Sequence, residues 1–238
     1  MCGQFVMFRS IEEYVQELDP QGDLFAKVDR TPVKRYNVAP GTDVPVIHLE
    51  PSGLHINPIH WGWKREISWP KPRVVQPINA RIETIAKGRF YKTLFPEHRA
   101  LIPADGWYQW VRDNLDEKKK QPFFIRLKTR KPMFFAGLAQ AEPGALEDEP
   151  PGFLIITSSS DSGMLDIHDR RPVVLNPELA REWLAPRLSK DRAKEIARDH
   201  SQPVEDFEWY PVSNDVGNVR NKGGIPRKVI GLRLNVLS

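Results

Sequence analysis

The chain has 238 residues, 40% hydrophobic and 28% charged, with 22 prolines, one cysteine and a net charge of +4. This length suits one large domain or two small ones, and 10% aromatic content excludes a disordered chain. One cysteine excludes an internal disulfide or a multi-cysteine zinc site, and the mild charge permits but does not require a polyanionic partner. No apolar run approaches the ~20 residues of a membrane span. Met1–Phe8 carries no basic leader or cleavage site, so a soluble, cytoplasmic protein is expected.

Ser10-Ile11-Glu12-Glu13 reads as a capping box, and Ile11, Val15 and Leu18 follow at helical spacing, predicting a helix over 11–18. Strand-like runs follow at Val44–Leu49, Leu54–Trp63, Arg99–Ile102, Gly106–Arg112, Phe123–Leu127, Met133–Ala139, Phe153–Thr157 and Pro172–Leu175. Pro51-Ser52-Gly53 marks a turn, and Lys118-Lys119-Lys120 reads as a solvated hairpin loop. Asn176 is an N-cap with Pro177 at the first helical position, and Ser189 opens a further helix through about Asp199. Phe207–Val212 is a late strand, and the tail after it is irregular. The acidic, Pro/Gly-rich Glu142–Pro151 joins two strand-like runs and reads as a surface loop inside one domain. Many short strands with helices at the edges predict an α+β fold on an antiparallel, barrel-like sheet core with a few peripheral helices.

Four segments could carry chemistry. Removal of Met1 would leave Cys2 with a free amine and a thiol on one residue. Such an aminothiol captures an aldehyde: the amine forms an imine, and the thiolate closes intramolecularly to a thiazolidine. At pH 7 about a tenth of an α-amine is neutral, against less than a thousandth of a lysine, so the terminal amine needs no tuning. Pro77–Thr84 suits a strand end leading into a helix, where Asn79 could orient an amine or hydroxyl and Arg81 could bind phosphate. Asp105-Gly106 is a turn opening a strand on which Trp107 and Gln109 face one way, Tyr108 and Trp110 the other. His168, between Asp166 and Asp169 on one side and Arg170-Arg171 on the other, could shuttle a proton or hold an anion. Read singly, these are a starter residue, a helix entrance, core packing and a structural histidine. The other five histidines show no metal-ligand spacing, so no metal site is expected.

Their order along the chain is more specific. Met1-Cys2-Gly3, Tyr36-Asn37-Val38-Ala39-Pro40, Trp61-Gly62, Asn79-Ala80-Arg81 with Glu83-Thr84, Pro103-Ala104-Asp105-Gly106, His168–Pro172, Pro211-Val212-Ser213 and Val216–Asn221 together resemble the SOS-response-associated peptidase (SRAP) family, from Cys2 to about Lys222. The resemblance implies one SRAP-like domain over 1–238, with 223–238 an irregular tail. It implies a bacterial or phage-borne DNA-damage protein that binds single-stranded DNA and captures abasic sites covalently through Cys2. The peptidase name reflects self-processing that exposes Cys2, and an imine intermediate makes lyase chemistry accessible. Cys2 is then the nucleophile, Asn79 positions the amine or sugar, and His168 helps open the deoxyribose ring. Arg81 and Arg170 are implied phosphate contacts, with Asp169 beside them. Asn37 and Pro40 belong to the DNA cleft, with Trp61 or Trp63 at its rim. No cofactor is implied, nor any membrane association, and a monomer is expected.

Two positions depart from the family pattern. Gln4 stands where an arginine is usual, and Gln109 where a glutamate supplies general acid–base help, typically worth about 10²–10⁴-fold. A glutamine can hydrogen-bond but cannot exchange a proton. Two competing readings remain at this point: an N-terminal-nucleophile amidohydrolase, and a non-catalytic single-strand binder. A metal phosphohydrolase using His168-Asp169 is a third and weaker one.

Overall fold

The structure is a computed structural model that describes residues 2–22, 28–50, 52–67, 73–87, 91–95, 97–112, 120–141, 150–160, 164, 168–221, 223–224 and 226–229. Lys118, Lys119, 142–149 of the acidic loop, Asp166 and 230–238 of the tail lie outside the described residues.

Two antiparallel sheets carry the fold. The first has five strands in the order β15 (Phe207–Pro211), β10 (Lys120–Leu127), β9 (Gly106–Arg112), β1 (Phe5–Met7) and β2 (Arg35–Val38). The second runs β13 (Arg170–Pro172), β12 (Gly152–Ser159), β11 (Met133–Gln140), β8 (Arg99–Ala104), β3 (Asp43–Glu50), β4 (Gly53–His60). Two short strands extend it: β14 (Val174–Leu175) pairs with β11, and β7 (Asn79–Arg81) runs parallel to β12. A separate ribbon joins β5 (Arg65–Ile67) and β6 (Arg73–Val75). Neither sheet closes on itself, so the expected barrel-like core is an antiparallel pair of open sheets packed against one another.

Side-chain alternation explains how one sheet serves two cores. On β8 and β11, Ala100, Ile102, Met133 and Phe135 enter the core between the sheets with Phe5, Trp107, Ile125 and Ile155. The intervening Leu101, Phe134 and Ala136 face the helices, against Ile82, Ile85, Trp183 and Ile196. The strands read as nearly continuous apolar runs because both faces are covered. A third, smaller cluster (Val6, Tyr108, Phe124, Val212) lies on the opposite face of the five-stranded sheet.

The helices obey their caps. Helix α1 (Ile11–Leu18) has the complete Ser10–Glu13 capping box, and Tyr14, Val15 and Leu18 are its buried residues. Four-residue α2 (Ile82–Ile85) and α3 (Tyr91–Leu94) follow, then α4 (Pro177–Trp183) behind Asn176 and α5 (Lys190–Asp199) behind Ser189. Tyr14 also ties α1 to the turn between β8 and β9. Its hydroxyl donates to Asp105 at 2.5 Å, alongside the Phe8 amide at 2.8 Å and Arg9 Nε at 2.7 Å. Burial pushes the Asp105 carboxyl up, while these donors and the Arg9 charge act against it. Gly106 follows because a Cβ there would lie 2.3 Å from Phe124 Cζ and 2.6 Å from the Ile125 carbonyl oxygen.

Candidate functional site

Three strands converge on the amino-terminal end of β1. Phe5 pairs with Trp107, and the Tyr108 amide donates to Gln4 O at 3.0 Å. Continuing that register places Gly3 opposite Gln109. From the other sheet, β7 is fixed by its parallel pairing of Asn79 with Ile155 on β12. Asn79 Nδ2 donates to Cys2 O at 2.9 Å, crossing from one sheet to the other. Cys2 itself is 0% exposed and belongs to the core between the sheets. Burial pushes its thiol up to about 12, against the opposing pull of the chain's amino-terminal charge and a Gln4 backbone hydrogen bond.

Gln109 lies on the same face of β9 as Trp107, as the alternation predicts, and is buried. Its Oε1 and the Oδ1 of Asn79 are both buried acceptors with no hydrogen-bond donor among the described residues. Orphaned buried acceptors are rare in folded proteins, so a pair of them beside residues 2–3 marks a place awaiting a donor.

His168 precedes β13. Its imidazole is lowered by burial first, then by the amino-terminal charge, with Asp169 opposing, so the ring is neutral at pH 7. Nδ1 lies 2.9 Å from the Arg170 amide and 2.6 Å from Asp169 Oδ1. A single ring nitrogen cannot accept from one and donate to the other. The carboxylate contact is too short without a shared proton, so Nδ1–H donates to Asp169 and the lone pair resides on Nε2.

Arg170 differs from its expected role. Its guanidinium is buried and spans Glu83 bidentately, Nη1 to Oε1 at 2.7 Å and Nη2 to Oε2 at 3.0 Å. Nη2 also donates to Thr157 O at 2.6 Å and Oγ1 at 3.1 Å. Partial burial by itself raises the Glu83 carboxyl, but the Arg170 hydrogen bonds and charge bring it down to about 2. A guanidinium so occupied holds β13 to α2 and has no fork left for phosphate, which corrects its reading as a DNA contact. Asp169 is exposed, and its carboxylate lies against His168.

Trp61 and Trp63 are both 0% exposed, so neither rims a cleft. Trp61 stacks on Phe153 with centroids 6.0 Å apart and donates to Ile78 O at 3.1 Å. Trp63 packs in the helix-side core and meets His98 edge-on at 6.4 Å. Gly62, with φ of +115°, turns the chain between them, sending residues two apart into different cores. Pro40 and Arg81 are exposed, and Arg81 has no ion-pair partner among the described residues. Asn37 is half-buried. Its Nδ2 donates to Val216 O at 2.9 Å and Asn218 O at 3.1 Å, latching the 3₁₀ turn Asn214–Gly217 beside Gln4. Gln4 Nε2 reaches the same Val216 O at 3.4 Å. Arg170 Nη1 also donates to Ser159 Oγ at 3.4 Å, and sequence reasoning singled out neither Thr157 nor Ser159 as its partner. Their signal is only polar residues on a buried strand.

The fold and site thus define a two-sheet α+β protein with a buried second-residue cysteine anchored by an asparagine, and with a histidine on which the amino-terminal charge acts. Residues 1–219 match the family model described as SOS response associated peptidase (SRAP), and the chain belongs to that family. It is 43% identical over 223 residues to "Abasic site processing protein YedK" of Escherichia coli K12, covering 94% of this chain and 97% of that protein. It is 32% identical over 226 residues to "Abasic site processing protein YoaM" of Bacillus subtilis, covering 93% and 95% respectively. Among solved structures, a phage-related protein of Bordetella bronchiseptica superposes with a TM-score of 0.75 at 39% identity, covering 95% of this chain and 100% of that one. No helix among the described residues is long and apolar enough to cross a membrane.

Proposed function

We propose that this protein, as a single domain freed of Met1, binds single-stranded DNA at the mouth around Cys2 and captures abasic sites covalently. Family membership and relatives named for abasic site processing support this reading. The observation that carries it is the pair of donorless acceptors, Asn79 Oδ1 and Gln109 Oε1, beside a residue that gains an amine when Met1 leaves. An amine brought between them supplies the missing N–H groups and is held facing the incoming carbonyl.

The chemistry follows from the groups present. His168 Nε2, neutral at pH 7, accepts the proton of the deoxyribose hydroxyl as the ring opens to the aldehyde. The Cys2 amine attacks the aldehyde carbon, forming a C–N bond and a carbinolamine, which loses one water to give the imine. Cys2 Sγ then adds to the imine carbon while the thiol proton passes to nitrogen, closing the five-membered ring. Net release is one water, and no redox partner is needed. Gln109 holds the amine without exchanging a proton, so water carries the protons that a carboxylic acid would otherwise supply. Arg81, exposed at the end of β7, is assigned to a phosphate, and Asn37 and exposed Pro40 to the DNA cleft.

The test is a denaturing gel of purified protein mixed with single-stranded DNA bearing one abasic site, beside Cys2→Ala, with loss of Met1 confirmed by intact mass. A heat-stable shifted band that Cys2→Ala lacks supports capture. A cleaved strand in place of the band reports β-elimination from the imine. No band and no cleavage, with Cys2 confirmed as the first residue, refutes the reading.

A further inference from the structure

Charge is unevenly partitioned along this chain. Residues 220–238 contain five basic residues (Arg220, Lys222, Arg227, Lys228, Arg233) and no acidic one, leaving 30 basic against 31 acidic residues in 1–219. The whole excess of positive charge therefore resides in a segment that begins where the family match ends, at residue 219.

The structure says where this segment starts and how it is held. It leaves the 3₁₀ turn whose Val216 and Asn218 carbonyls are gripped by Asn37, with Gln4 on the same Val216 oxygen, so it departs beside Gln4, two residues after Cys2 and just ahead of β1. It is tied down again on β15: Tyr210 Oη donates to Pro226 O at 3.1 Å, and the Val229 amide donates to Pro211 O at 2.9 Å. Pro226 is buried at that anchor, whereas Arg220, Arg227 and Lys228 are exposed. None of the three has an ion-pair partner among the described residues, unlike Arg126 and Arg192, which are paired. Unpaired cations on an anchored strap keep their attraction for an external anion, and holding the strap in place removes part of the entropy cost of binding.

We propose that Arg220, Arg227 and Lys228 form a cationic strap that binds the sugar-phosphate backbone of the DNA strand on the flank of the Cys2 site, independently of any lesion. The proposal rests on the DNA reading above. A nucleic-acid strand fits better than an acidic protein because the cations follow one another along one acid-free stretch of chain, beginning beside Gln4, where a strand would enter. Such a contact retains the protein on intact strand while the lesion is sought.

Arg220→Gln, Arg227→Gln and Lys228→Gln are combined in the full chain, and binding to an undamaged single-stranded oligonucleotide is followed by fluorescence anisotropy through a salt titration. Each neutralised phosphate contact on single strands contributes about 0.7 to the log–log salt slope, so the triple variant should be flatter by about 2. Affinity at low salt should fall roughly tenfold or more. Covalent capture at saturating abasic DNA should be unchanged, because none of the three touches Cys2, Asn79 or His168. An unchanged slope in a variant that melts with the wild type overturns the strap. If the triple variant does not fold, each single variant should lose about 0.7 of slope, and three unchanged slopes overturn it equally. A polyglutamate that displaces DNA as well as a competing oligonucleotide does would reassign the strap to an acidic protein. Wild-type protein that neither binds nor captures DNA refutes the parent function, whereas capture with an unaltered slope refutes the strap alone.

Discussion

Replacing Glu83 by glutamine isolates the clamp under His168. The substitution keeps the shape of the side chain but leaves the buried Arg170 guanidinium with only neutral acceptors, the Thr157 carbonyl and hydroxyl and the new amide oxygen. Lowering a carboxyl from 4.5 to about 2 corresponds nominally to ~3 kcal/mol at about 1.4 kcal/mol per pH unit. The Glu83 side chain is 41% exposed, so solvent screening reduces this to about 1–2 kcal/mol. The sign follows from the direction of the shift. A depressed carboxyl stabilises the fold fully above its unfolded value near 4.5, and that contribution is lost as pH falls toward 2. Urea unfolding of wild type and Glu83→Gln at a series of pH values should show a gap of about 1–2 kcal/mol at pH 7 that shrinks below pH 4.5. Since His168 lies two residues before Arg170, in the segment that the Glu83 pair holds to α2, capture should also slow in the variant. Equal stabilities at pH 7, or a gap of constant size down to pH 3, would refute the reasoning.

Gln109→Glu restores a proton-exchanging group and should speed capture and its reversal by roughly 10²-fold or more, read from gel time courses; unchanged rates in both directions would sink the idea. Burial holds the His168 imidazole below 6.5, so the rate advantage of wild type over His168→Ala should persist at neutral pH and vanish as acid protonates the ring. An advantage that grows on acidification would show that His168 acts as an acid instead. Gly106→Ala places a methyl 2.3 Å from the Phe124 ring and 2.6 Å from the Ile125 carbonyl oxygen, and should cost about 1–3 kcal/mol by thermal melting. A variant as stable as wild type would mean that the β8–β9 turn yields.

Local chemistry was the legible part of this sequence. Ser10, Asn176 and Ser189 cap helices as read, because a cap satisfies donors within its own turn and needs no tertiary partner. Most long strands were readable from β-branched and aromatic runs. The three-residue β1 was not read as a strand, since it is held by a distant partner at Trp107, whereas β7 running into α2 matches the strand end and helix read at Pro77–Thr84. The family resemblance led to Cys2, Asn79, Gln109 and His168, and three of them carry observations specific to this site: a carbonyl gripped across sheets, and two orphaned acceptors. Trp61 and Trp63 misled because composition cannot distinguish a stacking platform from a core aromatic. The one local hint was Gly62 between them, whose positive φ redirects the chain. Arg170 misled because a charge is neutralised by whatever folds against it, here Glu83 from a segment 87 residues away.

The complete burial of Cys2 bears on storage as much as on reaction. A thiol held near 12 is ionised to about one part in 10⁵ at neutral pH, and thiolate is the form that peroxides and stray electrophiles consume. On the capture proposed above, the single cysteine would be used once, so its loss to another reagent would be final. On that proposal, enclosure would spare the thiol while the amine, which takes aldehydes and not oxidants, makes the first bond.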